Sequence, residues 1–122
     1  MNKFIEFSRP RDSFHTLPII LANELYRMRQ RVSSIPSDIG GKGQLIKSFE
    51  RLEDELKNMG YEFPELLDTD YDEGMTLKAS FIPSENISVG VKKITRVIKP
   101  QVNYNGQLIQ IAEVEVTVGI KD

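Results

Sequence analysis

The hydrophobic period changes along this chain from one near 3.5 to one of two, and that change sets the class of fold it can adopt. Leu45, Phe49, Leu52, Leu56 and Met59 recur at spacings of four, three, four and three, which places them on one helical face. An upstream helix is predicted from Leu17, Leu21, Leu25, Met28 and Val32, spaced four, four, three and four. From Ala112 onward the period is two. Ala112, Val114, Val116, Val118 and Ile120 share one side of a strand, with Glu113, Glu115 and Thr117 on the other. Such alternation suits a sheet with one wet face. The expectation is an α+β chain: two N-terminal amphipathic helices, then a small C-terminal antiparallel β-domain.

The punctuation divides the chain further. Residues 1–15 carry Phe4, Ile5 and Phe7 followed by "SRPRDS", and read as a short strand or an ordered arm. Pro18 is placed in the first turn of a helix beginning near Thr16, where a missing N–H costs nothing. Pro36 stops that helix, because the residue before a proline is pushed out of the α region. "SSIPSDIGGKG" is a loop. Glu53 and Lys57 form a favourable i,i+4 pair on the second helix, and Gly60 ends it as the left-handed cap. The organisation expected is an arm at 1–15, a helical dimerisation region at 16–60, an acidic joint at 61–74 and a β-domain at 75–122.

Within the β-domain, "MTLKASFI" and "ISVGVKKITRVI" supply strands. "VIKPQVNYNGQLIQIAEVEVTV" reads as two strands folded about Asn105-Gly106. That dipeptide suits a type I′ turn, whose central residues both need positive φ. The helices raise a covering problem. Two amphipathic helices of this length cannot hide their apolar faces against each other alone. A four-helix bundle made by two chains would solve it, so a homodimer is expected. Its interface would use Leu17, Leu21, Leu25 and Met28 with Leu45, Phe49, Leu52 and Leu56.

Composition removes several functions. The chain has 122 residues, no cysteine, one histidine and a net charge of −2. Thiol and disulfide chemistry are excluded, and cytoplasmic residence is the default. No apolar run is long enough to span a bilayer. "GGKGQ" fails as a phosphate loop, because Lys42 is followed by Gly43 where Ser or Thr is needed. "DTDYDEG" alternates Asp68, Asp70 and Asp72 as a calcium loop would. It then places Glu73 where the turn needs glycine and Ala79 where a bidentate Glu belongs. His15 alone builds neither a zinc site nor a proton shuttle. No catalytic residue, metal or cofactor is therefore expected.

Charge is unevenly spread. Residues 61–74 hold six acids and no base, between a first stretch (1–31) with six bases against three acids and a last one (75–122) with six against four. The acidic segment reads as a solvated connection or as a docking surface for a basic partner. Arg27, Arg29 and Arg31 form a basic patch that suits a solvated face or a contact to acids on another protein. A nucleic-acid adaptor is a weaker reading, since no aromatic platform accompanies the arginines. No nucleic-acid or membrane partner is expected.

Taken in order, these elements resemble the GrpE family, the nucleotide exchange factors of DnaK-type chaperones, best from residue 44 to the end. "LIKSFERLEDELKNMGYE" is similar to the family's helix, with Met59-Gly60-Tyr61 at its Phe-Gly-Val position. "YDEG" resembles an aspartate-containing turn that in the family often carries a proline. "QVNYNGQLIQIAEVEV" resembles the closing hairpin, where Asn105, Gly106, Ile109, Ala112 and Val114 match without a gap. "TLPII" and "NELYR" resemble the opening of the preceding helix. The chain departs at Gln101-Val102 and Gln107, where the family has Gly-Tyr and Arg, and the family's long N-terminal paired helix has no counterpart in it.

The resemblance implies a binding protein, not an enzyme. It would be a short stress-response chaperone cofactor that grips the ATPase domain of a DnaK-type chaperone and promotes ADP release. Asn23 and Arg27 on the first helix, and Ile98 and Val116 on the sheet, are the contacts it implies. The alternative is a non-catalytic adaptor subunit of a larger bacterial assembly on the same fold, because fold does not fix function.

Overall fold

The structure is a computed structural model, and it describes residues 10–121, with side chains from 14 to 120. It is α+β and divides into two compact units, residues 1–61 and 62–122.

The first unit is a pair of helices, α1 (Pro10–Ser33) and α2 (Lys42–Asn58). Helix α1 begins well before Thr16, so residues 10–15 are helical rather than part of an extended arm; residues 1–9 of that arm lie outside the described residues. Pro18 consequently sits inside the helix, not in its first turn. Lacking an N–H, it gives no hydrogen bond to the carbonyl one turn back, and it is buried. Helix α1 ends in tight turns: the Ser34 and Ile35 amides donate to the carbonyls of Arg31 and Val32 at 3.3 and 3.0 Å. The hydroxyls of Ser33 and Ser34 donate to the carbonyls of Gln30 and Arg31 at 2.6 and 2.7 Å. Pro36 follows, as the sequence led one to expect.

Gly41, with φ 90°, turns the chain into α2. The helix thus opens at Lys42, inside the segment read as loop. Lys42 also reaches back, its Nζ donating to the Ile35 carbonyl at 2.6 Å, which closes the connection. At the far end Gly60 adopts φ 106° and donates to the Lys57 carbonyl at 2.9 Å. That is the left-handed stop the sequence indicated.

The helices meet through Ala22, Leu25, Val32, Phe49 and Leu56, all buried. This contact is narrower than the apolar stripes themselves. A stripe spaced four-and-three spans more arc than one neighbouring helix can cover, so part of each is left outside. Two polar links fasten the pair. Arg29 grips Glu53 with a two-pronged contact, Nη2 to Oε1 at 2.7 Å and Nε to Oε2 at 3.2 Å. Glu53 is therefore engaged across the pair and not with Lys57. His15, 8% exposed, lies 2.8 Å from the Tyr61 hydroxyl through Nδ1, and ties the start of α1 to the residue just beyond α2.

The Arg29–Glu53 fork is half-exposed, so its contribution is modest but directional. Arg29→Ala should lower stability by about 1–2 kcal/mol. Arg29→Lys should recover less than half of that, because an ammonium cannot reproduce the fork. The check is the denaturant midpoint at constant m; equal midpoints for wild type and Arg29→Ala would sink it.

After the two-residue strand β1 (Tyr61–Glu62), the second unit is built on strand β6 (Ala112–Lys121), which lies between β2 (Leu77–Ser88) and β3 (Lys92–Lys99). Strand β3 pairs antiparallel with β6, but β2 pairs parallel with it, Leu77 opposite Ala112 through Ser84 opposite Gly119. The sheet is mixed, which corrects the antiparallel expectation. Alternation reports which side chains are wet; it does not report strand direction. Strands β2 and β3 are joined by a short turn through Gly90, φ 87°, yet they do not pair, because β6 inserts between them.

The hydrophobic interior is Ile94, Val97, Val102, Ala112, Val114 and Val116. The inward alternation of β6 holds only to Val116. Val118 is half-buried and Ile120 exposed, in the stretch where the β2–β6 register shifts between Ser84 and Ser88. Pro83 lies in β2, an edge strand of this sheet, where a residue without an N–H is tolerated.

The Asn-Gly hairpin is present. Strand β4 (Val102–Tyr104) pairs antiparallel with β5 (Gln107–Gln110) about Asn105 and Gly106, whose φ values are 48° and 83°. Both are positive, as a type I′ turn demands. Below it the same two chain segments continue as β3 and β6, Val97 opposite Val114. Buried Pro100 interrupts the ladder, and Gln110 spans the gap by donating to the Pro100 carbonyl at 2.8 Å.

The acidic segment is no loose connection. Asp68 and Tyr71 donate to the carbonyls of Ile94 and Lys92 at 2.8 and 2.9 Å, and Ile94 donates to Thr69 at 2.9 Å. These bonds lay the segment along the edge of β3 that β6 leaves open. Among the described residues, no helix is long and apolar enough to cross a membrane.

Candidate partner-binding surfaces

On the helical unit, the residues singled out for self-association fall into three groups. Leu25, Phe49 and Leu56 are buried between the helices of one chain. Leu21 and Met28 are half-buried. Leu17, Leu45 and Leu52 are exposed, Leu17 at 62%. The outer stripe gains two members that the sequence reading missed, Phe14 and Ile20, and Met59, read on the same helical face as Leu45 and Leu52, is exposed as well. Phe14 escaped notice because it lay in the supposed arm. Leu45, Leu52 and Met59 are spaced by seven, so they form a straight seam along α2.

Asn23 and Arg27 stand on α1, the first half-buried, the second exposed. Arg27 is held by Glu24, one turn back. The three arginines do not act as one patch. Arg27 pairs along its own helix, Arg29 pairs across to α2, and Arg31 is exposed near the helix end. Two of the three guanidinium groups thus carry a carboxylate partner, which offsets their positive charge.

On the β unit, Ile98 is exposed on β3, while Val116 is wholly buried beneath the sheet opposite Ile94. Only Ile98 is available to a partner; Val116 holds the strand that carries it. The two differ because β3 is irregular between Ile94 and Arg96 and again between Val97 and Lys99. Those irregularities displace Ile98 from the inward series. The wet face around it is ordered by cross-strand contacts. Thr95 and Thr117 hydroxyls lie 2.6 Å apart, and Arg96 donates to Glu115 at 3.4 Å. Leu108 and Ile111, on and beside the hairpin, are exposed as well. Exposed apolar side chains of the hairpin thus stand on the same unit as a polar, hydrogen-bonded β3–β6 face.

A shallow cleft of about 560 Å³ lies beside the acidic segment, between Asp70, Tyr71, Asp72 and Glu73 on one side and Gly90, Val91 and Lys92 on the other. Lys92 pairs with Glu73 at 3.6 Å, and Asp72 accepts from the Gly74 amide at 3.1 Å. Tyr71 meets Phe81 edge-on, ring centres 5.4 Å apart. Asp68, Asp70 and Asp72 do not converge: among the described residues no three His, Cys, Asp or Glu side chains gather as metal ligands.

His15 faces Tyr61 inside the helical unit. Compared with protein-family models and with curated proteins, the chain matches none.

Proposed function

We propose that this protein is a GrpE-like nucleotide exchange factor, which binds the ATPase domain of a DnaK-type chaperone in the cytoplasm and promotes ADP release. The observation that carries the reading is the order of elements. A fastened helical pair precedes a compact β unit that closes on a two-residue Asn-Gly hairpin, with Ile109, Ala112 and Val114 at the spacings the family uses. The accessible contacts are Arg27, with Asn23 beside it on α1, and Ile98 on β3.

The protein acts by binding. Contacts that favour an open nucleotide cleft must weaken ADP by the same factor that ADP weakens them, since linkage is reciprocal. About 4 kcal/mol of such coupling corresponds to roughly a thousandfold weaker ADP binding. Two chains associate through the outer stripe of the helices, so that each dimer presents two β units.

The test is release of a fluorescent ADP analogue from a DnaK-type chaperone of the same organism. Acceleration of about tenfold or more is expected, equivalent to a release barrier lowered by about 1.4 kcal/mol, and it should fall in Arg27→Ala and Ile98→Asp. Binding without acceleration would replace this reading with that of an adaptor subunit. No binding would end both.

A further inference from the structure

We propose that Asn105 is a self-modification site, at which the chain converts to isoaspartate and thereby disables its own hairpin. This goes beyond the exchange-factor reading and does not depend on it. Of the six asparagines, Asn105 is the one followed by glycine; Asn2, Asn23, Asn58, Asn86 and Asn103 precede Lys, Glu, Met, Ile and Tyr. Both Asn105 and Gly106 are exposed, and the space where a Gly106 side chain would sit is empty to 4 Å. The ladder pairs Tyr104 with Gln107, which leaves the Gly106 nitrogen outside the paired residues.

The chemistry needs only water. The Gly106 nitrogen attacks Cγ of Asn105 and forms a C–N bond. The Cγ–Nδ2 bond breaks, and ammonia leaves with the proton displaced from the attacking nitrogen. Water then opens the five-membered imide at either carbonyl. One opening gives aspartate; the other gives isoaspartate, with the main chain rerouted through Cβ and Cγ. A glycine nitrogen is the least hindered nucleophile for the first step.

Ring closure requires rotation about the Cα–C bond of Asn105, which the folded turn resists. The turn opens easily, however. Strand β4 has three residues and β5 four, and their ladder is irregular between Val102 and Asn103. Such short ladders open locally long before the whole unit unfolds. The modification is disabling because a two-residue turn has no slack. An added backbone methylene and a carboxylate cannot reproduce positive φ at both positions, so Tyr104 and Gln107 lose their register.

The experiment ages the full chain in mildly alkaline buffer and maps isoaspartate by mass spectrometry. Asn105 should convert about tenfold or more faster than Asn103, which is paired in the β4–β5 ladder and must open to react, and than Asn86, which precedes isoleucine in β2. Mild denaturant should accelerate it. Asn105→Gly, which keeps a Gly-Gly turn of the same type, should retain its thermal midpoint on ageing while wild type loses part of its own. Conversion at Asn105 no faster than at the other asparagines would overturn the site. Equal ageing of wild type and Asn105→Gly would overturn its disabling effect.

Discussion

Gly119→Ala should destabilise the protein by about 3 kcal/mol or more, although it adds a single methyl group to the end of a strand. A Cβ at Gly119 would lie 1.9 Å from the Ser88 carbonyl oxygen, 2.5 Å from its carbon and 2.8 Å from the Ile87 oxygen. All three are main-chain atoms, so no rotamer change relieves the contact. Nor can the backbone retreat freely. Gly119 donates to the Val91 carbonyl at 2.9 Å, and Val91 donates to Ser88 at 3.1 Å. These bonds hold the turn between β2 and β3 against the same residue that the methyl group would push away.

The position has a role in the topology. The backbone of β2 at Ile87 and Ser88 lies where a side chain of β6 would stand, and glycine marks such close backbone approaches. Gly43→Ala is the control: nothing lies within 4 Å of its added Cβ, it sits in the first turn of α2, and the exchange should stabilise by up to about 1 kcal/mol. Thermal midpoints of the two variants should move in opposite directions. A Gly119→Ala midpoint within error of wild type would refute the packing argument.

Gly119 also shows where a single sequence stops being informative. Its neighbours read as a clean alternating strand, and the alternation did locate the interior at Ala112, Val114 and Val116. The same pattern placed Ile120 inside, where the structure leaves it 55% exposed. Local alternation reports the average side of a strand. It contains nothing about a second strand crossing at its end. The direction of β2 was hidden for the same reason, since pairing partner and polarity are long-range properties. The Asn105-Gly106 turn, by contrast, is dictated by the backbone demands of two adjacent residues, and it was legible in full. The start of α1 was obscured by Pro18, because a proline inside a helix pattern points to a first-turn position, whereas the helix begins at Pro10. The acidic segment looked solvated because its charges are; its backbone, which pairs with β3, carries no sequence signature. Among candidate contacts, Ile98 and Val116 were indistinguishable as apolar strand residues, and the irregularities of β3 separate them.

The outer stripe of the helical unit leads to the second large effect. Leu17→Glu combined with Leu52→Glu should abolish self-association while leaving the chain folded. Both residues are exposed in the single chain, at 62% and 46%, so neither contributes much to the packing of α1 on α2. Burying a leucine contributes about 1.5–3 kcal/mol, and a two-fold interface would lose two on each chain. At 1.4 kcal/mol per decade the dimer should weaken well beyond a hundredfold, and four carboxylates would oppose contact further. Sedimentation should show wild type as a dimer and the double variant as a monomer with an unchanged helical spectrum. Concentration gives an independent reading, because an associating protein gains apparent stability with concentration and a monomer does not. The wild-type midpoint should therefore rise on concentrating the sample while that of the double variant stays fixed. Leu25→Glu completes the comparison. Leu25 is 2% exposed, and a charge there should unfold the helical pair outright. A wild type that is monomeric at every concentration, or a double variant that remains dimeric, would show that the stripe is not where two copies meet.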